Sequence, residues 1–288
     1  MVRQTTESRL SLSELRRLAE QGDQNAQHSL GQAYMHGQWV PIDGVEAVRW
    51  FTKTAEHYNP DLEFDDLQFD AREMVLQLLA GEISSLREHE EAAREWLCEG
   101  ARRGQVEAQY ILALAYWSGS GFPKDPAEAA RWLRNAAEQG HSDAQRHLGD
   151  AYHDGDGVPQ SFLESMYWYR KAAEQGFPDL PFKLGNAYYE GKEVPADHAE
   201  AAKWYLKAAE QGHAEAQAVI GYVYWSGDGV TKDYAEAVKW FRKAAEQGDA
   251  CARYNLGAVY YKGEGVPQDY VQAYFWTDLA AFASKGKT

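Results

Sequence analysis

The sequence predicts an all-α chain, a solenoid of 36-residue helix pairs, and three observations carry that prediction. Tryptophan recurs at 96, 132, 168, 204, 240 and 276, each 36 residues after the last. Glycine keeps the same interval through Gly104, Gly140, Gly176, Gly212 and Gly248, and again through Gly149, Gly185, Gly221 and Gly257. A capping signature, Asp or Ser followed three residues later by Glu or Gln, recurs as Asp43/Glu46, Asp125/Glu128, Ser161/Glu164, Asp197/Glu200, Asp233/Glu236 and Asp269/Gln272. A fixed interval shared by several residue types marks an array whose units stack on their neighbours.

The frame divides the chain into an N-terminal half repeat or cap (1–22), a repeat at 23–58, a degenerate repeat at 59–103, repeats at 104–139, 140–175, 176–211 and 212–247, and a last repeat with a C-terminal cap at 248–288. The cap is read from Leu15 to Gly22 (LRRLAEQG), which matches the end of a unit. Trp50 precedes Trp96 by one interval plus ten residues, and the excess falls in the acidic stretch Asn59 to Gln68.

Within the unit 140–175, Ala144, Leu148 and Tyr152 are four apart and share one helix face, which is core. Gly149 lowers helix propensity and implies close approach of the partner helix. Gly155 supplies a left-handed C-cap and Gly157 helps the turn. The second helix starts on the capping box, in which Ser or Asp accepts from free backbone N–H groups while Glu or Gln returns the bond. It then buries a small residue and a tryptophan, as Ala237 with Trp240, and the pair Ala244 and Ala245. One helix pair cannot bury such a face alone, so stability has to come from stacking.

Composition narrows the partners. With 29 basic and 44 acidic residues the net charge is -15, which repels phosphate backbones and anionic lipid and favours basic proteins. Cys98 and Cys251 lie too far apart in a near-neighbour array to be expected to pair. The N-terminal residues, with Arg3, Glu7, Arg9 and Glu14, lack the apolar core of a signal peptide, and the run Ile111 to Trp117 is far short of the ~20 residues that span a bilayer. A cytoplasmic location is expected, or a periplasmic or secreted one if a signal peptide has been removed.

The string AEAQAVIGYVYWSGDGVTKDYAEAVKWFRKAAEQGD, Ala214 to Asp249, resembles a near-consensus Sel-one-like repeat, a relative of the tetratricopeptide repeat. The resemblance covers about residues 11 to 286. It implies a right-handed superhelix with first helices lining a concave face, and an adaptor or scaffold role; family members act in protein quality control, bacterial signalling, exopolysaccharide export, host contact and toxin neutralisation. Departures are Pro178 and Pro181 in the first helix of 176–211, Glu193 at a turn-glycine position, and the ending TDLAAFASKG. The family's cysteine-rich secreted branch carries a disulfide in each unit and is credited with penicillin binding; this sequence lacks those cysteines.

No chemistry-bearing constellation emerges. His141, His147 and His153 are six apart, which spreads them around a helix. His147 with Asp143 reads as a solvated surface pair rather than a metal site. Asp61, Glu63, Asp65, Asp66 and Asp70 lack the glycine and terminal glutamate of a calcium loop and read as an excursion with a helix cap. Ser284, Lys285, Gly286, Lys287 and Thr288 mimic Ser-x-x-Lys and phosphate-loop fragments, but Ala281 stands where the loop's first glycine belongs, and a frayed tail is expected. Cys98 reads as a packed small residue. No cofactor or metal is expected.

The anomaly lies on the first helices. Relative to Ala144, positions 146, 150 and 153 lie at about 200°, 240° and 180°, away from the core. Arg146, Asp150 and His153 are polar there, but the equivalents are Tyr110, Leu114 and Trp117; Phe182, Asn186 and Tyr189; Ala218, Tyr222 and Trp225; Tyr254, Ala258 and Tyr261. An aromatic stripe of this kind supplies binding hot spots, unless neighbouring first helices pack side by side and bury the rings. Tyr110, Trp117, Phe182, Tyr189, Tyr222, Trp225, Tyr254 and Tyr261 are the candidate contact residues, with Trp117 and Trp225 foremost and Arg146 and Asn186 as polar clamps. The leading function is a non-catalytic scaffold binding a protein or peptide in this groove. A dedicated inhibitor or immunity protein with one basic partner is the alternative, and a hydrolase acting on β-lactams is the third.

Overall fold

The tryptophan and glycine frame becomes a run of helices of nearly constant length in the computed structural model, which describes residues 11–56, 66–177, 179–192 and 194–285. These are α1 (Leu12–Glu20), α2 (Gln24–His36), α3 (Gly44–Ala55), α4 (Asp66–Leu79), a 3₁₀ segment (Ser84–His89), α5 (Glu90–Arg102), α6 (Val106–Ser118), α7 (Pro126–Glu138) and α8 (Ser142–Asp154). There follow α9 (Phe162–Glu174), α10 (Asp179–Glu190), α11 (His198–Glu210), α12 (Ala214–Ser226), α13 (Tyr234–Glu246), α14 (Ala250–Lys262) and α15 (Tyr270–Lys285). No strand occurs among the described residues, and the fold is an all-helical solenoid. Two compact units divide it, Met1–Gln160 and Ser161–Thr288.

Six of the second helices start on a capping side chain. Asp43, Asp125, Asp197, Asp233 and Asp269, and Ser161, all accept from backbone N–H groups in the first turn of the helix that follows. The second half of the expected box is different. The N–H of each cap aspartate donates to the carbonyl of a tyrosine nine residues upstream: Asp43 to Tyr34, Asp125 to Tyr116, Asp197 to Tyr188, Asp233 to Tyr224 and Asp269 to Tyr260, at 2.9–3.1 Å. That carbonyl sits at the end of the preceding first helix, where it has no intrahelical partner. Four of the third-position glutamates pair with a basic residue three further on: Glu46 with Arg49, Glu128 with Arg131, Glu200 with Lys203 and Glu236 with Lys239.

Packing explains the helical glycines. A Cβ on Gly221 would lie 2.6 Å from the Phe241 ring, and one on Gly185 the same distance from Tyr205. In six helices the residue after the tryptophan is buried: Phe51, Leu97, Leu133, Tyr169, Tyr205 and Phe241 are all at most 2% exposed. The tryptophan stacks backwards. Trp240 of α13 joins a cluster built from α11 and α12, and Trp204 of α11 one built from α9 and α10. As expected, Ala144, Leu148 and Tyr152 are buried and Gly155 is left-handed at φ 73°.

Buried glutamines lace one repeat to the next. Gln27, Gln109, Gln145 and Gln217 each donate to a carbonyl eight residues upstream, at the end of the preceding helix. Pro181 takes this position in α10, where the first helical turn tolerates proline. Pro178 and Glu193 lie outside the described residues, as do Arg3, Glu7 and Arg9 and the insert residues Asp61, Glu63 and Asp65. Asp70 is not free for calcium: its carboxylate meets His28 Nε2 at 2.7 Å. The expected frayed tail is corrected in part, since α15 continues through Ser284 and Lys285; Gly286, Lys287 and Thr288 lie outside the described residues.

Cap and core are separable in energy. Asp233→Ala is expected to cost about 1 kcal/mol through stranded N–H donors. Trp240→Ala should cost roughly 3–5 kcal/mol, because it opens a cavity between two neighbouring repeats. Urea denaturation of both variants checks the order, and equal costs would contradict the assignment.

Candidate binding face

In the first unit the expected aromatic stripe is replaced by a buried polar cluster. Arg72 of α4 donates from Nε to Glu107 Oε1 at 2.7 Å and from a terminal nitrogen to Asp143 Oδ2 at 2.8 Å, joining α4, α6 and α8. His141 caps α8 through Nδ1, which accepts from the Ala144 N–H, so its Nε2–H donates to Glu107 at 2.9 Å. Burial opposes charge throughout the cluster, and the mutual pairing overcomes it: the Glu107 and Asp143 carboxyls lie below their ordinary range and the Arg72 guanidinium above its own.

Tyr110 belongs to this cluster rather than to an open face, which corrects the expectation for it. Its ring is 3% exposed, between His141 and His147 at centroid distances of 4.4 and 5.7 Å, with the Arg72 guanidinium 4.6 Å away. The flanking first helices close over the side that helical geometry turns from the core. His147 is likewise no solvated partner of Asp143. Arg146 can only donate, so His147 Nε2 accepts from it at 2.7 Å and Nδ1–H donates to the Tyr110 oxygen at 3.0 Å. Burial, with Arg146 beside it, lowers the His147 pKa to about 4. His141 and His147 converge on one ring because His141 is a cap residue, not a helical one; His153 pairs separately with Asp154. Arg146 also bonds Asp150 at 3.4 Å, and Trp117 is half-buried.

The second unit keeps an open aromatic face on α10, α12 and α14. Phe182 is half-buried, stacked on His213 at 4.5 Å and tilted against Tyr205 at 5.7 Å. The Asn186 amide oxygen accepts from the Tyr205 hydroxyl at 2.8 Å, so it supports the face from below. Tyr189 stacks on His198 at 4.8 Å, and His198 meets Asp228 at 2.6 Å; burial first, then Asp228, raises the Tyr189 phenol. Tyr222, Tyr254 and Tyr261 are 46%, 64% and 59% exposed. Trp225 is half-buried, its ring 5.7 Å from that of Tyr222, with Nε1–H donating to Glu264 at 2.8 Å and Lys262 over the ring at 5.4 Å. Tyr222, Trp225, Tyr254, Asn255, Lys262 and Glu264 line a cavity of about 270 Å³.

His198, His213, Lys262 and Glu264 were not legible as parts of this face. The histidines stand at helix starts and Glu264 in a turn, outside the first-helix frame that exposed the stripe. Among the described residues no three His, Cys, Asp or Glu side chains are placed to hold a metal ion, and no helix is long and apolar enough to cross a membrane. Cys98 is half-buried, and burial raises its thiol pKa.

The profile of the Sel1 repeat matches residues 24–59, 106–141, 142–177, 182–213, 214–249 and 252–281. This chain belongs to the Sel1 repeat family. Sel1 repeat proteins are generally protein-interaction scaffolds and typically non-catalytic. A protective antigen of uropathogenic Escherichia coli with this repeat fold is 32% identical, with a TM-score of 0.61 over 97% of this chain and 58% of that one, so the chain spans under two thirds of that relative. A Sel1 repeat protein from Oxalobacter formigenes is 35% identical, with a TM-score of 0.54 over 72% of this chain and 84% of that one. An immunity protein from Pseudomonas aeruginosa is 22% identical with a TM-score of 0.35, over 77% and 84% of the two chains. Comparison with curated proteins gives no match.

The buried cluster makes the Sel1 array acid-sensitive in two steps. His147 is held neutral in the fold, so stability falls as pH drops from about 6.5 to about 4 and the unfolded chain alone takes up the proton. The depressed carboxyls of Glu107 and Asp143 add stability above their unfolded pKa values, which is lost as pH falls through the folded ones. Arg72→Met should cost about 3–5 kcal/mol at pH 7 by removing the guanidinium that pairs two buried carboxylates, with only the His141 bond left to Glu107. The penalty should shrink at pH 4, because without Arg72 burial raises both carboxyls and favours their neutral forms. Denaturant titrations at both pH values check this, and an equal penalty would mean that Arg72 acts by packing alone.

Proposed function

We propose that this Sel1 repeat chain is a non-catalytic scaffold that holds a segment of a partner protein across α10, α12 and α14. One observation carries the reading: Tyr189, Tyr222, Tyr254 and Tyr261, from three first helices, keep 38–64% of their surface open, and Tyr222 and Tyr254 line the cavity of about 270 Å³. Rings held by their neighbours offer contact area at little entropic cost. Two roles expected for the polar clamps shift. Asn186 orients Tyr205, and Arg146 sits with the buried cluster of the first unit, so both act by positioning.

The charge of -15 selects the partner's surface, favouring a basic segment and speeding its encounter. A dedicated inhibitor, immunity-type, would use the same face on one tightly bound basic partner; the scaffold takes several weaker ones. Neither reading includes a catalytic step or a cofactor.

Tyr222 and Tyr254 are cleaner probes than Trp225, which is half-buried, bonded to Glu264 and packed against the α13–α14 core. Pull-down with intact-mass identification supplies the partner, and its stoichiometry separates scaffold from inhibitor. In calorimetric titration, Tyr222→Ala with Tyr254→Ala should then weaken binding at least about thirtyfold with little change in Tm. Trp225→Ala should lower both affinity and Tm. Unchanged affinity in the double variant would remove the groove from the reading.

A further inference from the structure

The helix α15 breaks the pattern of its predecessors. At the positions where α13 carries Lys239, Lys243 and Glu246, α15 carries Phe275, Leu279 and Phe282. Phe275 is 51% and Phe282 80% exposed, and Tyr270, Val271 and Tyr274 beside them are 62%, 77% and 73% exposed. Val271, Phe275 and Phe282 fall on one stripe at i, i+4 and i+11. The position of Tyr274 is covered elsewhere: its equivalents Ala202 and Val238 are 3% and 6% exposed and share clusters with Val230 and Val266 from the turn of the following repeat. Among the described residues, α15 therefore leaves open the face that earlier second helices use for stacking.

We infer that this face of α15 is a homodimer interface, in which two copies of the chain pair their α15 helices about a twofold axis. Charge decides the occupant. The chain carries -15 overall, so two copies repel across most of their surface and a basic partner is attracted to it. In the sixteen residues of α15 only Asp278 and Lys285 are charged. This face therefore neither repels a second copy nor draws a basic protein, and the surface that complements it is another apolar, nearly uncharged helix. The second copy supplies one, and an isologous pairing closes on itself. Size agrees. Aromatic side chains bury ~150–250 Å² each, so Tyr270, Tyr274, Phe275 and Phe282 at their observed exposures offer on the order of 500 Å² per copy. With Val271 and the helix flanks, that approaches the ~800 Å² per partner of a standard interface.

The test is sedimentation velocity of the 288-residue chain over a concentration series. The expected species is a dimer. Tyr274→Glu with Phe275→Glu should raise its dissociation constant at least about thirtyfold and leave the helical circular dichroism unchanged, since both side chains are exposed. Tyr222→Glu, on the aromatic face of α12, should dimerise like the parent. A monomer at every concentration overturns the proposal. So do species that grow beyond the dimer, which mark an open head-to-tail contact, a double variant that pairs like the parent, and loss of pairing in Tyr222→Glu.

Discussion

The ring of Phe241 lies so close to α12 that a Cβ on Gly221 would stand 2.6 Å from it, and Tyr205 against Gly185 repeats the contact one interval earlier. Everything else in the array follows from holding two short helices at that separation. A glycine in a helix costs about 1 kcal/mol of propensity, and the approach it permits lets one large ring fill the space between the helices of a pair. The neighbouring tryptophan, rotated by one residue, is then aimed at the previous pair. Two adjacent residues thus divide the work: Phe241 closes its own unit and Trp240 ties that unit to the one before.

The same economy governs the helix ends. A capping aspartate satisfies donors ahead of it with its carboxylate, and with its own N–H it satisfies the tyrosine carbonyl left open at the end of the preceding first helix. One residue thereby closes the end of one helix and the start of the next, which fixes the turn between them. The glutamate three residues on is released from the reciprocal bond and joins a surface ion pair with a lysine or arginine. Exposed pairs of this type contribute little, so the local signature that is most visible in the sequence is not the strongest part of the joint.

Period, helix pairing, caps and core faces were legible because each depends on residues within one interval. The inner face was only half legible. Helical angles place Tyr110 and Tyr254 alike, yet Tyr110 is 3% exposed and Tyr254 64%. The difference is made by Arg72, 38 residues before Tyr110 in the one repeat whose spacing is broken, and by His141 and His147 on the next first helix. Arg72 and His147 carry no periodic signal, whereas His141 recurs two intervals later as His213, stacked on Phe182, the frame equivalent of Tyr110. His141 also misled the angular argument because a cap residue has extended rather than helical backbone, at ψ 114°. Where the repeats are regular, in α12 and α14, nothing equivalent to Arg72 is present, and the rings stay open.

The open rings and the apolar end of α15 lie on different helices, and the two proposals give them different partners, so one can be filled without the other. The aromatic face belongs to first helices of a chain with net charge -15, and screening over about 8 Å at physiological salt leaves close charges effective. The α15 face belongs to a second helix and is nearly free of charge. A dimer formed there carries two aromatic faces into one assembly. For a partner with two suitable segments, the second contact becomes intramolecular, and avidity can exceed the single-site affinity by ~10²–10⁴ without any new contact, provided its spacer spans the two faces. Modest affinity at each groove is then sufficient for firm retention, which suits a scaffold of exposed tyrosines on short helices.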